Sequence, residues 1–276
     1  MNDLDAALAR AADWLMQADG LLVTAGAGMG VDSGLPDFRG REGLWRAYPA
    51  LGRARLDFSE IACPDSFVRS PRLAWGFYGH RLARYRSATP HAGFALLQTW
   101  AARMPQGLFV FTSNVDGQFQ KAGVPPERVC EVHGSIHHLQ CLEPCCERIH
   151  PADPLAVSID AERCEWLGEL PRCPACGRLA RPNILMFGDW GWLAERTRAQ
   201  QQALERWRRG VDKLVVLEIG AGTAIPTVRW FGEGLGQPLI RLNLREAEVG
   251  GGRAVGLPLA ALAGLQALEQ ALQRHR

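Results

Sequence analysis

The sequence predicts an α/β protein in which a doubly wound parallel sheet carries a smaller second domain. Short apolar runs that end in small or polar residues recur along the chain, helical stretches separate them, and two long segments break this alternation. The runs are "GLLVTAGAG" (20–28), "GLFVFTSNVD" (107–116), "KLVVLEIGAG" (213–222) and "PLIRLN" (238–243). Strands that alternate with helices form parallel sheets, and ligands bind such sheets at the carboxyl ends of the strands.

The helices of this pattern are expected where apolar residues recur at helical spacing. The first is predicted over residues 3–18, and others over 91–103, 194–209 and the closing stretch "LPLAALAGLQALEQALQRHR". The interrupting segment 41–87 contains no convincing strand, and the segment 137–182 holds the cysteine pairs, prolines and little hydrophobic periodicity. We therefore expect a Rossmann-like domain and a small domain that combines a helical insertion with a cysteine-rich module. The former would comprise residues 1–40, 88–136 and 183–276, and the latter residues 41–87 and 137–182.

Composition and charge exclude several classes of protein. Hydrophobic residues make up 47% of the 276 residues and charged residues 22%, which is typical of a folded globular chain. A net charge of +2 is too small to favour nucleic acid or an anionic membrane as the main partner. No apolar run is long enough to span a bilayer, and the amino terminus does not resemble a signal peptide. These features predict a cytoplasmic protein; they do not predict its oligomeric state.

The cysteines indicate a metal site. In a chain without a secretion signal, disulfides are the weaker interpretation of eight cysteines. Cys173 and Cys176 form a C-x2-C pair, and a second pair begins at Cys141 and ends at Cys145 or Cys146. We favour Cys145 because Pro144 before it helps to form the turn. Four thiolates predict a structural zinc site, and the segment lacks the basic and aromatic residues of a nucleic-acid-binding zinc ribbon.

A turn with five glycines, "VTAGAGMGVDSGLPDFRG" (23–40), follows the first predicted strand. Glycines there would let backbone amides approach a pyrophosphate, although the G-x-G-x-x-G spacing is not met because Val31 occupies the last position. A purely structural turn is the alternative. Neither interpretation explains the acid, aromatic and arginine of Asp37, Phe38 and Arg39.

The ordered motifs resemble those of the sirtuins, the NAD-dependent protein-lysine deacylases. "GAGMGVDSGLPDFRG" resembles the family's GAGxSxxSGIPDFRG, and "TSNVDGQFQKAG" resembles TQNIDxLHxxAG. "EVHGS" is similar to the catalytic histidine segment, and "CPACGRLARPNILMFGD" to CPxCGxxLRPxVVxFGE. "EIGAGTAIPTVR" and "RLN" resemble the strand ends GTSLxVxPA and IN. The resemblance covers nearly the whole chain.

This resemblance implies NAD as cofactor and an acyl-lysine protein or peptide as substrate. The positions that would contact NAD are Gly26, Ala27, Gly28, Asp37, Phe38, Arg39, Ser113, Asn114, Asp116, Gly220, Ala221, Gly222 and Asn243. Ser113 replaces a glutamine of the family motif, and Ala221 and Gly222 replace residues with hydroxyl groups. Zinc would be held by Cys141, Cys145, Cys173 and Cys176.

The resemblance makes His133 the general base that acts on the NAD ribose hydroxyls. Imidazole suits this role because its ordinary pKa lies near neutrality, and we expect Gly134 to leave room for the substrate. Asn114 and Asp116 would orient NAD and a water molecule. The alternative for these two residues is an Asx turn that caps the next helix. His137 and His138 are not needed as zinc ligands.

Tyr78 and Arg81 point to an acidic acyl group. Their spacing places them on one face of a helix, and sirtuins that prefer acidic acyl groups carry a Y-x-x-R pair here. A guanidinium and a carboxylate form a geometrically suited pair. Ordinary helix packing with a solvated arginine, and plain acetyl removal, remain alternatives.

Three functions are compatible with these residues. An NAD-dependent protein-lysine deacylase, which releases nicotinamide and O-acyl-ADP-ribose, is favoured. An NAD hydrolase or ADP-ribosyltransferase is the second hypothesis, since Ser113, Ala221 and Gly222 depart from the family motifs. A catalytically weak NAD-sensing scaffold is the third, and the presence of His133, Asn114 and Asp116 argues against it.

Overall fold

The computed structural model describes residues 3–36 and 40–274, and for residues 40–42 it describes the backbone alone. The strands in these ranges are β1 (Gly20–Ala25), β2 (Leu108–Thr112), β3 (Val129–Glu131), β4 (Gly134–Cys141), β5 (His150–Pro151), β6 (Ile159–Asp160), β7 (Glu165–Trp166), β8 (Ala180–Ile184), β9 (Leu214–Ile219), β10 (Leu239–Leu242) and β11 (Ala254–Leu257).

The helices of the same ranges surround the sheets and fill the first interrupting segment. They are α1 (Asp3–Gln17), α2 (Gly40–Ala47), α3 (Pro49–Arg53), α4 (Phe58–Ile61), α5 (Pro64–Arg69), α6 (Pro71–Ser87), α7 (Ala92–Ala101), α8 (Gln118–Lys121), α9 (Glu195–Arg209), α10 (Thr227–Gly234) and α11 (Ala261–Arg274). The predicted helical insertion 41–87 thus consists of the helices α2 to α6, joined by short connections. Of these helices, none is long and apolar enough to cross a bilayer.

The large sheet is parallel and has the strand order β11-β10-β9-β1-β2-β3. Every pairing between its neighbours is parallel, and β1 at the centre pairs with both β2 and β9. The chain proceeds to one side of β1 first and to the other side later, so β1 and β9 flank the switch point at which doubly wound sheets bind ligands. The predicted fold class is confirmed. Two strands were missed, the short edge pieces β3 and β11.

The core of the large sheet is formed by its fully buried strands and by the apolar faces of α1, α7 and α11. Leu21, Val23, Leu217 and Ile240 pack there against Leu265 and other residues of α11. The opposite face of the sheet packs on α9 and α10, where Leu22 and Val216 meet Leu204 and Trp207. A strand buried on both faces reads as a continuous apolar run, which is why β1, β2 and β9 were visible in the sequence.

A second apolar core joins the helical insertion to the cysteine-rich segment. Phe67, Trp75 and Phe77 of the insertion pack with Trp166 and Ile184. The antiparallel sheet β5-β4-β8 lies in this part of the molecule, and β6 pairs with β7. Strand β4 begins before the segment 137–182 and β8 ends after it.

Candidate active site

A cavity of about 750 Å³ opens at the carboxyl ends of β1, β2 and β9. Its volume lies in the range of small-molecule and cofactor sites. One wall comes from the turns that follow these strands, and the other from the helical insertion and the segment after β8. Its polar and small lining residues include Gly26, Ala27, Tyr78, Arg81, Tyr85, Ser113, Asn114, Asp116, His133, Gly220, Ala221 and Gly222.

The glycine turn after β1 packs directly on the turn after β9. The amide of Gly26 donates to the carbonyl of Ile219, and the amide of Gly28 donates to that of Gly220, both at 3.0 Å. A Cβ atom at Gly26 would lie 2.7 Å from the Gly220 oxygen. These two amides therefore hold the turns together instead of facing a pyrophosphate. Gly26 and Ala27 line the cavity, whereas Gly28 is not among its lining residues.

The end of β2 is tied to the same turn. The side-chain amide of Asn114 donates to the Gly26 carbonyl at 2.9 Å, and the Asn114 backbone amide donates to the Thr112 hydroxyl at 3.0 Å. Asp116 accepts a hydrogen bond from the Gln118 amide at 2.9 Å, which is the predicted Asx turn before α8. Asp116 also lines the cavity, so the capping role and a place in the site coexist.

Burial shifts the pKa values of two groups in the cavity toward their neutral forms. Loss of solvent raises the pKa of Asp116 to about 6, against a smaller opposing effect of the Gln118 amide. Burial also lowers the pKa of His133 below its ordinary value of 6.5. At neutral pH the His133 imidazole is therefore neutral and able to accept a proton.

Position 134 requires a glycine for a structural reason that differs from the expected one. Its φ of 79° is in the left-handed region, and a Cβ atom there would lie 2.1 Å from the carbonyl oxygen of Asn183 in β8. The absent side chain thus lets β4 and β8 approach each other. The expectation that it leaves room for a substrate was wrong.

Tyr78 and Arg81 lie on one helix, α6, as their spacing predicted, and both line the cavity. Arg81 is only 8% exposed, so the alternative of a solvated arginine was wrong. The guanidinium lies 5.3–5.7 Å from the ring centroids of Phe77, Tyr78 and Tyr85. Its Nε and one terminal nitrogen donate to the Tyr85 hydroxyl at 3.0 and 2.9 Å.

The remaining predicted positions are distributed differently. Ser113, Gly220, Ala221 and Gly222 line the cavity. Asn243 does not; it is 2% exposed and its side-chain amide donates to the Ala221 carbonyl at 2.8 Å. The predicted contacts Asp37, Phe38 and Arg39 lie outside the described residues.

The two cysteine pairs come together as a four-sulfur cluster. The Sγ atoms of Cys141, Cys145, Cys173 and Cys176 all lie within 4.8 Å of one another. Cys141 and Cys176 are 3.7 Å apart, as are Cys145 and Cys173. A tetrahedral zinc ion with bonds of about 2.3 Å would separate its sulfur ligands by about 3.8 Å, so the donor set fits zinc. Cys146 is close to Cys145, at 3.8 Å, but is not part of the cluster.

The neighbouring histidines are outside the cluster, as expected. The Nε2 of His137 donates to the backbone carbonyl of Asp116 at 3.0 Å. His138 is half-buried, and burial lowers the pKa of its ring to about 4.

Sequence reasoning missed several residues that shape the cavity. Tyr85 stands four positions after Arg81 on one helix face, a spacing that could have indicated contact. Leu185, Met186 and Phe187 follow β8 and form an apolar wall. The sequence pattern could not show whether these residues line a cavity or lie in a core, because apolar residues after a strand can do either.

Comparisons with known proteins agree with this geometry. The chain is 37% identical over 168 residues to an NAD-dependent protein deacylase of Pyrococcus furiosus, which covers 59% of each chain. It is 35% identical over 186 residues to an NAD-dependent protein deacylase of Thermococcus kodakarensis, which covers 66% of this chain and 65% of that protein. The chain thus spans less than two thirds of the length of these curated relatives.

Solved structures share the fold over nearly the whole chain. A structure that addresses the mechanism and regulation of Sir2 enzymes superimposes with a TM-score of 0.68 at 26% identity, covering 99% of this chain and 100% of that one. A complex of a Sir2 homologue with NAD has a TM-score of 0.71 at 22% identity, covering 97% and 94%. The model of the Sir2 family matches residues 26–225, which is more than half of the sequence. The sirtuin resemblance is therefore confirmed, and the chain belongs to the Sir2 family.

Proposed function

We propose that the protein is an NAD-dependent protein-lysine deacylase that releases nicotinamide and O-acyl-ADP-ribose. The observation that carries the proposal is the cavity of about 750 Å³ at the switch point of the sheet. It brings a neutral histidine, His133, together with Asn114 and Asp116 between a glycine-lined wall and a buried arginine. Membership of the Sir2 family and relatives named as NAD-dependent protein deacylases support it.

The glycine-lined wall fits a dinucleotide. Gly26, Ala27 and the turn 220–222 bring backbone close to the cavity without obstructing side chains. Bound NAD would supply an electrophilic ribose carbon with nicotinamide as its leaving group. Asn114 holds the turn after β1 in place through its hydrogen bond to the Gly26 carbonyl. We propose that Asp37, Phe38, Arg39 and Ser113 also contact NAD.

His133 acts as the general base in this proposal. Its ring reaches the cavity, and burial keeps it neutral, so it can accept a proton from a ribose hydroxyl. Asp116 orients groups near the reacting centre. Because burial raises the pKa of Asp116 to about 6, its carboxylate is mostly ionised only above that pH.

Tyr78 and Arg81 support a preference for acidic acyl groups such as succinyl or malonyl. The guanidinium is buried in the cavity wall among aromatic rings, where a carboxylate would meet little competition from water. Tyr85 holds one edge of the guanidinium through a neutral hydroxyl, which orients the group without cancelling its charge. Acetyl-lysine remains a substrate under this proposal, at a lower rate.

An NAD hydrolase or ADP-ribosyltransferase is the second candidate. Ser113, Ala221 and Gly222 favour it, because the cavity there lacks side-chain donors that the family motifs carry. The two candidates differ in whether NAD consumption requires an acyl-lysine.

We further propose that residues 1–40, 88–136 and 183–276 form the NAD-binding domain, and that residues 41–87 and 137–182 form the small domain. Cys141, Cys145, Cys173 and Cys176 would hold a structural zinc ion there. No disulfide joins any of the eight cysteines, all of which lie in the described ranges, and we propose a cytoplasmic location. The partner is an acyl-lysine protein or peptide, with no role for nucleic acid or membrane.

The decisive experiment measures nicotinamide release from NAD by the purified protein. Reactions contain no peptide, an acetyl-lysine peptide or a succinyl-lysine peptide. Release that depends on an acyl peptide, faster for succinyl-lysine, is expected. Equal release without peptide would establish an NAD hydrolase and overturn the deacylase proposal.

A further inference from the structure

The turn after β9 faces the proposed dinucleotide with almost no side chain. Gly220, Ala221 and Gly222 line the cavity, and none of them carries a polar side-chain group. Any hydrogen bond from this turn to a ligand must therefore come from the backbone. The direction of each peptide group then decides what the turn can bind.

Two buried side chains fix one of these peptide groups. The carbonyl oxygen of Ala221 accepts a hydrogen bond from the Nε of Arg229 at 3.1 Å and another from the side-chain amide of Asn243 at 2.8 Å. Arg229 is 8% exposed and Asn243 is 2% exposed. Arg229 lies on α10 and Asn243 directly after β10, so the carbonyl is held from two separate elements.

The same side chains are fixed by the loop that follows β10. A terminal nitrogen of Arg229 donates to the backbone carbonyl of Glu246 at 2.6 Å. The side-chain oxygen of Asn243 accepts from the amides of Arg245 and Glu246, each at 3.1 Å. The Thr223 hydroxyl donates to the Glu246 carboxylate at 2.7 Å. These bonds join the turn after β9 and the loop after β10 into one network.

The network sets the direction of one backbone donor of the turn. In a trans peptide, the carbonyl of one residue and the amide of the next point in opposite directions. Because the Ala221 carbonyl is turned toward Arg229 and Asn243, the amide of Gly222 is turned away from them. Gly222 lines the cavity.

We infer that Arg229 and Asn243 are positioning residues that aim the Gly222 amide at an acceptor oxygen of the dinucleotide. This inference rests on the proposed use of NAD. The amide takes the place of the side-chain donors that are absent at positions 221 and 222. The guanidinium of Arg229, which also lies 3.6 Å from the Glu246 carboxylate, polarises the peptide group through its hydrogen bond to the Ala221 carbonyl, and this strengthens the Gly222 amide as a donor. Asn243 thus serves the ligand through the turn, whereas the sirtuin resemblance implied a direct contact with NAD.

The test uses ADP-ribose binding by calorimetry, which requires no turnover. We expect Arg229→Met to weaken binding about tenfold, the loss of roughly one charge-assisted hydrogen bond, and to raise the KM for NAD similarly. The KM for the acyl peptide should not change. Arg229→Lys, which retains the charge and one donor, should restore part of the affinity. Arg208→Met is the matched control, since Arg208 pairs with Glu205 on α9 and should leave binding unchanged.

A second measurement follows the Gly222 amide itself in the wild-type protein. Its amide resonance should shift and its hydrogen exchange should slow when ADP-ribose is added. An unchanged affinity in a folded Arg229→Met protein, or a Gly222 amide that ADP-ribose does not affect, would overturn the inference. Wild-type protein that binds neither NAD nor ADP-ribose would overturn the proposed function as well. Binding without acyl-dependent turnover would overturn only the deacylase proposal.

Discussion

Gly28 and Gly220 are in direct backbone contact. The Gly28 amide donates to the Gly220 carbonyl at 3.0 Å, and a Cβ atom at Gly28 would lie 2.6 Å from the Gly220 Cα atom. A Cβ atom at Gly220 would be 2.4 Å from the Gly28 Cα atom, and Gly220 has a φ of 61°. The two turns that flank the switch point can pack this closely only if both positions are glycine.

Gly28→Ala should destabilise the protein because the added methyl group meets backbone that cannot rotate away. We expect a loss of about 1–3 kcal/mol in the free energy of unfolding, measured by urea denaturation. Gly222→Ala is the matched control in the same pair of turns, since its methyl group would meet only the Glu246 carboxylate, at 3.7 Å. Equal stability of the two variants would contradict the close packing of the two turns at Gly28 and Gly220.

Asp116→Asn should stabilise the protein at alkaline pH. The folded-state pKa of Asp116 is raised from 3.8 to about 6, so the folded protein favours the protonated carboxyl. Its contribution is therefore fully present below the unfolded-state value and is lost as the pH rises through about 6. The variant should gain up to about 3 kcal/mol in unfolding free energy at pH 8, and progressively less as the pH falls toward 4.

The measurement compares urea unfolding of wild-type and Asp116→Asn proteins across this pH range. Asparagine keeps the side-chain oxygen that accepts from the Gln118 amide, so the Asx turn should persist. A stability difference that does not vary with pH would show that the Asp116 carboxylate bears no burial cost. Lower deacylation by the more stable variant would mark Asp116 as a residue kept for activity.

His133→Ala should abolish turnover while leaving cofactor affinity nearly unchanged. Loss of a general base lowers rates by roughly 10²–10⁴-fold. Since burial lowers the pKa of His133, the acid limb of the wild-type pH profile should fall below pH 6.5. Steady-state deacylation and ADP-ribose calorimetry check both points. Full acyl-dependent turnover in the variant would remove His133 from the role of base.

Cys173→Ser should lose zinc and cooperative folding, because a site closed by four sulfurs contributes directly to stability. Metal analysis of the wild-type protein should give about one zinc ion per chain. Cys146→Ser is the control: its sulfur is 3.8 Å from that of Cys145 but lies outside the cluster, so zinc should be retained. Zinc loss in both variants would reassign the ligands.

Replacing Tyr78 with Phe and Arg81 with Met should reduce succinyl-lysine turnover far more than acetyl-lysine turnover. A charge-assisted pair between the guanidinium and the acyl carboxylate is worth about 1.5–3 kcal/mol, which corresponds to a change of roughly ten- to a hundredfold in kcat/KM. Competition between the two peptides in one reaction measures the ratio directly. Equal loss on both substrates would make the pair a packing element of α6.

Much of this architecture could be predicted because strands buried on both faces leave continuous apolar runs. The convergence of the residues after β1, β2 and β9 could also be predicted, because the carboxyl ends of parallel strands lie at one edge of the sheet. Strand β3 has three residues and β11 contains Gly256, so neither produces a comparable signal. The position of Arg229 relative to Ala221 depends on how α10 packs, which no local pattern encodes.

The central pairing of the large sheet joins Gly20 to Leu214, far apart in the chain. During synthesis, β1 leaves the ribosome long before its partner β9, at about 5–20 residues per second. For roughly 10–40 s the nascent chain therefore carries an apolar strand with an unpaired edge, which is a template for aggregation. The arrangement that builds the cavity between β1 and β9 thus leaves one edge of β1 unpaired in the nascent chain until β9 has been synthesised.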